Sequence, residues 1–426
     1  MANEYEEIVQ AEREQFSSKE NKQKGNVLVI GNSGVGKSTL INAVLGVKRA
    51  KACYGIHGTT VELKSYETEN VPFRLVDTIG FEPGAFKKDK AIQAVKKWGA
   101  EATKEAEEKK NKHQINVIWF CVDGTSSKLF PSTIKDFFNA ASMWRSVPVI
   151  VVITKSYSVP DRQKNIDMVN EAFTLEKAKK KITPAGIIPV VAEAFVLNMD
   201  DPAAQAPPEG ISELIELTNR LMPKGIKEAD KIISKHVLNR KRAFAHSAVG
   251  LFTTSGAAVG AIPIPMADAP ILAGVELGEI KTLAKIYEIK KDGNSEKLFS
   301  AIVKAGTISA AAKSLISAVK AIPGINLAAA VVNAVVAGCI VAAIGEATIY
   351  AFEQIYLGKK SLLDVDWIKS IVEDKLTNVQ FVDKVKEILS NIKVPDGITD
   401  KSSKEDILKA LAGVIPNIAK SVQKRR

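Results

Sequence analysis

The sequence predicts an α/β domain with a mostly parallel sheet flanked by helices, followed by an all-α, Ala-rich domain. Three observations carry this. Short apolar runs alternate with helical stretches between Gly25 and Met222. The run Val27 to Ile30 leads into Gly31-Asn32-Ser33-Gly34-Val35-Gly36-Lys37-Ser38, a complete G-x-x-x-x-G-K-S phosphate loop. Beyond Pro223-Lys224-Gly225 the β-branched runs give way to Ala-rich, helix-length segments with few aromatics.

In chain order, residues 1–24 form a charged leader to which no chemistry is assigned. Residues 25–222 form the α/β domain and residues 223–426 the helical domain. Strands are expected at Val27 to Ile30, Thr60 to Tyr66, Phe73 to Asp77, Ile115 to Val122, Val147 to Thr154 and Gly186 to Val191. Helices are expected near Phe86 to Lys112, Ser132 to Trp144, Asp161 to Lys181 and Ile211 to Leu221, with a surface loop from Asp200 to Gly210. In the helical domain, Ala243 to Ala267 and Ala321 to Gly345 each run about 25 residues without a formal charge, long enough to cross a bilayer if helical. Both are dominated by small residues, and Pro263 and Pro265 would break the first, so a buried hairpin competes with membrane association. The tail repeats apolar residues at helical spacing, as in Phe381, Val385, Ile388 and Ile392, and reads as surface helices.

With 426 residues and 46% hydrophobic content, the chain exceeds one core. The 59 Lys and Arg against 48 Asp and Glu give +11, a basic excess that favours anionic partners without choosing lipid or nucleic acid. Cys53, Cys121 and Cys339 form no C-x-x-C pair, so neither a structural zinc nor a disulfide framework is indicated. The acidic start, Met1 to Glu7, is unlike a secretory signal, and a cytoplasmic protein, peripheral or inserted at a membrane, is expected.

The phosphate loop defines the nucleotide site. Asn32, Ser33, Gly34, Val35 and Gly36 supply backbone N–H groups, Lys37 neutralises β and γ oxygens, Ser38 ligates Mg²⁺, and Thr39 opens the following helix at the phosphates. Later motifs separate GTPases from other phosphate-loop proteins. Gly58-Thr59-Thr60 precedes a strand, where Thr60 completes the Mg²⁺ shell. Asp77-Thr78-Ile79-Gly80 ends a strand as D-x-x-G, with Asp77 on the metal through water and the Gly80 N–H on the γ-phosphate. Thr154-Lys155 stands where the base-reading [N/T]-K-x-D should lie, but its fourth position is Tyr157. The carboxylate that accepts from guanine is missing there, Asp161 is the next acid along, and Lys155 can still lie along the purine. Ala192 matches the loose S-A-K element.

On these residues, positions 25 to 222 resemble the translation-factor-like GTPases of the Era and MnmE type, and more broadly the septin, dynamin and immunity-related GTPases. The segment Ile262-Pro263-Ile264-Pro265-Met266-Ala267-Asp268-Ala269-Pro270-Ile271-Leu272 is similar to the I-P-x-P-x-A-D-x-P-I-L signature of an uncharacterised helical domain often fused behind such GTPases and often described as membrane-associated. The resemblance implies GTP/GDP and Mg²⁺ as ligands. Gly34 stands where potassium-dependent relatives carry Asn, which leaves potassium activation unsupported. Phe81 follows the D-x-x-G motif in place of a water-positioning Gln, so the catalytic residue is unassigned, with His57, Glu82 and Lys87 as candidates. Slow turnover raised by homodimerisation through the nucleotide face is expected. The resulting function is a Mg²⁺-dependent GTP-binding and hydrolysing switch that controls the helical domain, with association to a membrane surface as its concrete form. The alternatives are a nucleotide-gated scaffold holding a protein partner, and a GTPase acting on RNA or ribosome assembly, the latter less favoured for want of an RNA module.

Overall fold

The computed structural model describes residues 24–46, 52–53, 64–68, 71–77, 114–140, 146–180, 182–197, 204–224, 226, 230–262, 268–307, 327–395, 397–399 and 401–423. Packing divides the chain into two compact units, Met1–Glu193 with Glu209–Arg240, and Ala194–Pro208 with Lys241–Arg426.

The first unit is built on a seven-stranded sheet. Its strands are β1 (Gly25–Gly31), β2 (Ala52–Cys53), β3 (Lys64–Tyr66), β4 (Phe73–Asp77), β5 (Ile115–Asp123), β6 (Val149–Thr154) and β7 (Pro184–Pro189), in the order β2-β3-β4-β1-β5-β6-β7. β1 pairs in parallel with β4 and β5, and β6 with β5 and β7, whereas β3 runs antiparallel to β2 and β4. β1 and β6 are buried at every residue, as continuous apolar runs in a sheet covered on both faces must be. The helices are α1 (Lys37–Leu45), α2 (Phe130–Ala140), α3 (Val159–Lys180) and α4 (Ile211–Leu221). On one face Phe120 stacks on Phe137 with ring centres 4.3 Å apart, and Phe138 and Phe173 complete the aromatic core. On the other, the indole N–H of Trp119 donates to Thr218 Oγ1 of α4 at 2.9 Å, so the largest buried side chain carries no orphaned donor.

The expected strand Phe73 to Asp77 and helix Ile211 to Leu221 occupy those spans, and the other expected elements differ by a few residues at their ends where they are described; residues 60–63 and 141–144 of the expected strand and helix lie outside the described residues, and β2 is an element that the sequence reading does not include. The expected helix from Phe86 to Lys112 lies outside the described residues. The segment read as a loop from Asp200 to Gly210 contributes a short strand, β9 (Gln205–Ala206), paired antiparallel with β8 (Phe195–Val196). These two-residue strands are too short to leave a periodic signature.

The second unit is helical. Helix α5 (Asp230–Gly260) gives its residues through Arg240 to the first unit and those from Lys241 to the second. It is followed by α6 (Asp268–Ile286), α7 (Gly293–Thr307), α8 (Ala329–Tyr356), α9 (Val365–Thr377), α10 (Val379–Asn391), α11 (Lys404–Leu411) and α12 (Ile415–Gln423). The centre is α8, 28 residues long, which packs against α6, α7 and α9 to α12. Among the described residues α8 alone is long and apolar enough to cross a bilayer, and most of it is buried inside this unit. Apolar along most of its length, with Glu346 and Glu353 toward its C-terminal end, it suits the middle of a helical core. Pro263 and Pro265 lie outside the described residues.

Candidate nucleotide site

The phosphate loop leaves β1 at Gly31, and each of its glycines answers a different demand. Gly31 packs so closely on β5 that a Cβ would lie 2.6 Å from the Cys121 carbonyl oxygen. Gly34 and Gly36 hold φ of +75° and +97°, the left-handed region that side chains disfavour. The turn delivers the chain to α1, whose N-cap is Gly36, with Ser38 and Thr39 exposed at its first turn. Lys37 curls back over the loop, its Nζ donating to Gly31 O at 3.0 Å and Asn32 O at 3.2 Å. The ammonium is thus pinned above the backbone N–H groups of Ser33 to Gly36, the place for an anion.

The far end of α1 is anchored as firmly. Arg240 Nε donates to Ala43 O at 2.8 Å and the His236 ring to Val44 O at 3.0 Å, so two carbonyls left open by the helix terminus are satisfied by α5. Burial outweighs the Val44 hydrogen bond and holds the His236 imidazole below its ordinary pKa, in the neutral form that a single donated hydrogen bond suits.

Asp77 ends β4 in register with Val29 of β1, two residues before Gly31. Its carboxylate and the Lys37 ammonium both act on the Cys121 thiol, the first raising and the second lowering its pKa against a larger upward push from burial, to about 12. Asp77, at the end of β4, and Lys37, over Gly31, thus both stand at the end of the sheet where β1 passes into the loop. Ser38, Asp77 and the loop N–H groups are the chemistry a Mg-nucleotide requires: a hydroxyl, a carboxylate and backbone donors. Thr60 and Gly80 lie outside the described residues, as do His57, Phe81, Glu82 and Lys87.

The residues expected on the base side stand at the ends of β5 and β6 and just beyond β7. Thr154 Oγ1 lies 2.6 Å from Val35 O and 2.9 Å from Val122 O, tying the phosphate loop to the sheet. Lys155 adopts φ +52°, rare for a side-chain-bearing residue, and its Cε passes within 4.0 Å of where a Gly36 Cβ would stand. Its Nζ is held 2.7 Å from Asp123 Oδ2. Asp123 Oδ1 accepts from Thr125 N and Oγ1; burial raises the carboxyl's pKa, but the hydrogen bonds from Lys155 and Thr125 outweigh it, and Asp123 titrates below its ordinary range. Ser156 N donates to Val190 O at 3.1 Å, tying the turn after β6 to the chain just beyond β7. Arg162 of α3 clamps both sides, reaching Ser156 O at 3.0 Å and Glu209 Oε1 at 2.8 Å.

The structure brings Asn32 to Thr39, Asp77, Thr154, Lys155 and Ala192 to one edge of the sheet. Asp161, the nearest acid after Tyr157, is instead engaged at the start of α3, where it accepts from Ser158 Oγ at 2.6 Å. Asp123 is the residue that sequence reasoning missed. An Asp-Gly pair ending the apolar run Ile115 to Val122 was the available signal, since β5 neighbours both β1 and β6.

Sheet, phosphate loop and the acid that ends β4 together define a P-loop GTPase domain. Residues 26–155 match the family model described as 50S ribosome-binding GTPase, and residues 226–378 match a domain of unknown function, DUF697. The chain is 34% identical over 134 residues to GTPase Der of Geobacter metallireducens, covering 30% of this chain and 26% of that protein. It is 39% identical over 85 residues to GTPase Der of Neisseria gonorrhoeae, covering 20% of this chain and 16% of that one. The match therefore spans about a quarter or less of these relatives' length. Among solved structures, the septin GTPase domain of Chlamydomonas reinhardtii aligns with a TM-score of 0.31 at 16% identity, over 52% of this chain and 96% of that one.

Proposed function

We propose that this chain is a Mg²⁺-dependent switch that binds and hydrolyses GTP, and that its nucleotide state controls the helical unit. The observation that carries the reading is that Asp77 ends β4, and Lys37 lies over Gly31 and Asn32, at the same end of the sheet, where the loop Gly31 to Gly36 begins. Ser38 and Asp77, with Thr60, are the residues that hold Mg²⁺ in this reading, and the ion when bound neutralises charge on the β and γ oxygens. The protein's own part is positional. Lys37 draws the terminal phosphates onto the backbone donors, the start of α1 adds its dipole, and Lys155, held by Asp123, lies along the purine. The in-line water is left without an obvious base, so we expect slow turnover, raised by dimerisation across the nucleotide face. Phosphate release from wild type and Lys37→Ala across protein concentrations tests this. Turnover abolished in the variant and rising faster than linearly with wild-type concentration supports it, and a rate strictly linear in protein removes self-activation.

The concrete form of the switch is reversible association of the helical unit with a membrane surface, for which the apolar length of α8 is the support. Flotation with anionic liposomes in GTP and in GDP tests it, and recovery of protein at the bottom of the gradient in both states contradicts it. A second reading, action on the large ribosomal subunit, is favoured by the description of the matching family and by the net charge of +11. Cosedimentation with 50S particles that depends on GTP and weakens with salt would select it over the membrane form.

A further inference from the structure

The helical unit contains two glutamates, Glu276 and Glu279, that are each 0% exposed. They lie three residues apart on α6 and so share one face. Neither carboxylate oxygen of Glu279 has a hydrogen-bond partner. The place for this group is made by an absence of side chain: on α8, a Cβ at Gly345 would collide with Glu279 Oε1 and come within 2.7 Å of Val249 Cγ2 on α5. Glu276 lies near α7, its Oε2 at ordinary contact distance, 3.6 Å, from where a Cβ of Gly306 would stand.

Among the described residues, the groups around Glu279 offer it no cation. From α6 it faces Glu276, and from α8 Glu346, whose Oε1 is taken by His246 Nδ1 of α5 at 2.8 Å. The nearer basic residues of α5 are engaged, Arg242 with Glu353 of α8 and Lys241 with Glu288. On α7, Lys304 is exposed to solvent. An ionised carboxylate with no donor, no cation and two acidic neighbours is costly by several kcal/mol in such surroundings. A neutral carboxylic acid avoids most of that cost. Among the described residues no cluster of three ligands fit for a metal ion occurs, which leaves the proton as the ligand that this geometry takes.

We propose that Glu279 is a proton-binding site of the helical unit, carried as the neutral acid in the packed state, and that its ionisation loosens α6 from α8 at the Gly345 contact. Burial first, then Glu276 and Glu346, push its pKa well above 4.5, in agreement with that protonation state. The direction of linkage follows. The packed unit retains a proton that the unfolded chain releases near pH 4.5, so stability is greatest in acid and declines as pH rises, until the folded group itself ionises. One retained proton changes the folded-to-unfolded ratio by up to about tenfold per pH unit in that window. The proton site stands whether or not the phosphate loop holds GTP.

The test is urea unfolding of the full chain, followed at the helical unit by hydrogen exchange, from pH 5 to pH 9 for wild type and Glu279→Gln. Wild-type α6 and α8 should lose protection steadily with rising pH, and the variant should lose most of that slope and exceed wild type at pH 9. An unchanged slope in Glu279→Gln overturns the assignment. Should the variant not fold, infrared spectroscopy of the wild type in D₂O decides: the C=O stretch of a protonated, buried carboxyl at pH 7 supports the site, and its absence refutes it.

Discussion

Lys155 reaches Asp123 across two neighbouring parallel strands, Nζ to Oδ2 at 2.7 Å, and this pair ties the ends of β5 and β6 together beside the phosphate loop. Because Thr125 holds the other oxygen of Asp123, the carboxylate is a rigid post rather than a mobile surface charge. Asp123→Asn should leave the fold intact and weaken GTP binding by roughly tenfold, the order of one charge-assisted hydrogen bond at a partly exposed site. Calorimetric titration checks it, and an unchanged affinity would remove Asp123 from the site.

Base selectivity should be sharpened by one substitution. Tyr157 stands where a guanine-reading carboxylate is expected, and Asp161 is occupied with Ser158. Tyr157→Asp should therefore raise the preference for GTP over ATP by at least about tenfold, since a carboxylate aimed at paired N–H groups discriminates strongly. Competition between labelled GTP and unlabelled ATP measures the ratio. A ratio equal to wild type would show that the base lies elsewhere.

The phosphate-loop glycines should rank by geometry. Gly31→Ala would drive a methyl against the Cys121 carbonyl and cost about 2 to 3 kcal/mol. Gly34→Ala meets nothing within 4 Å and carries only the left-handed penalty, about 1 kcal/mol. Denaturant midpoints of the two variants give the order, and a Gly34 variant less stable than the Gly31 variant would contradict the loop geometry.

Cys121 and Cys339 are fully buried and their thiols are pushed up to about 12 by burial. Neither should react with iodoacetamide at pH 8 in the folded protein, whereas both should react in urea. Mass spectrometry of the alkylated peptides reads this, and modification of Cys121 under native conditions would mean that β5 opens.

Much of the nucleotide site is legible in the sequence because its chemistry is local. A glycine spacing, Lys37 and the Ser38 hydroxyl fall within eight residues, and the short, β-branched apolar runs before Gly31 and Lys155 read as buried parallel strands. What the sequence hides is long-range. Asp123 and Lys155 are 32 residues apart and meet only because β5 and β6 are neighbours. Glu279 hides for another reason: a glutamate on a helix reads as a solvent-facing residue, and only the facing glycine, Gly345, 66 positions away in the numbering, turns it into a buried acid. The β8 and β9 pair shows the lower limit of periodicity, since two residues per strand carry no period at all.

Titration of the full chain with GTP, GDP, ATP and ADP in Mg²⁺, alongside Lys37→Ala, weighs the nucleotide-switch reading as a whole. Micromolar or tighter guanine-nucleotide binding that Lys37→Ala weakens by at least about a hundredfold is expected, given two or more charge-assisted contacts to phosphate. Equal or tighter binding of adenine nucleotides, or affinity for GTP that survives the loss of Lys37, would contradict it.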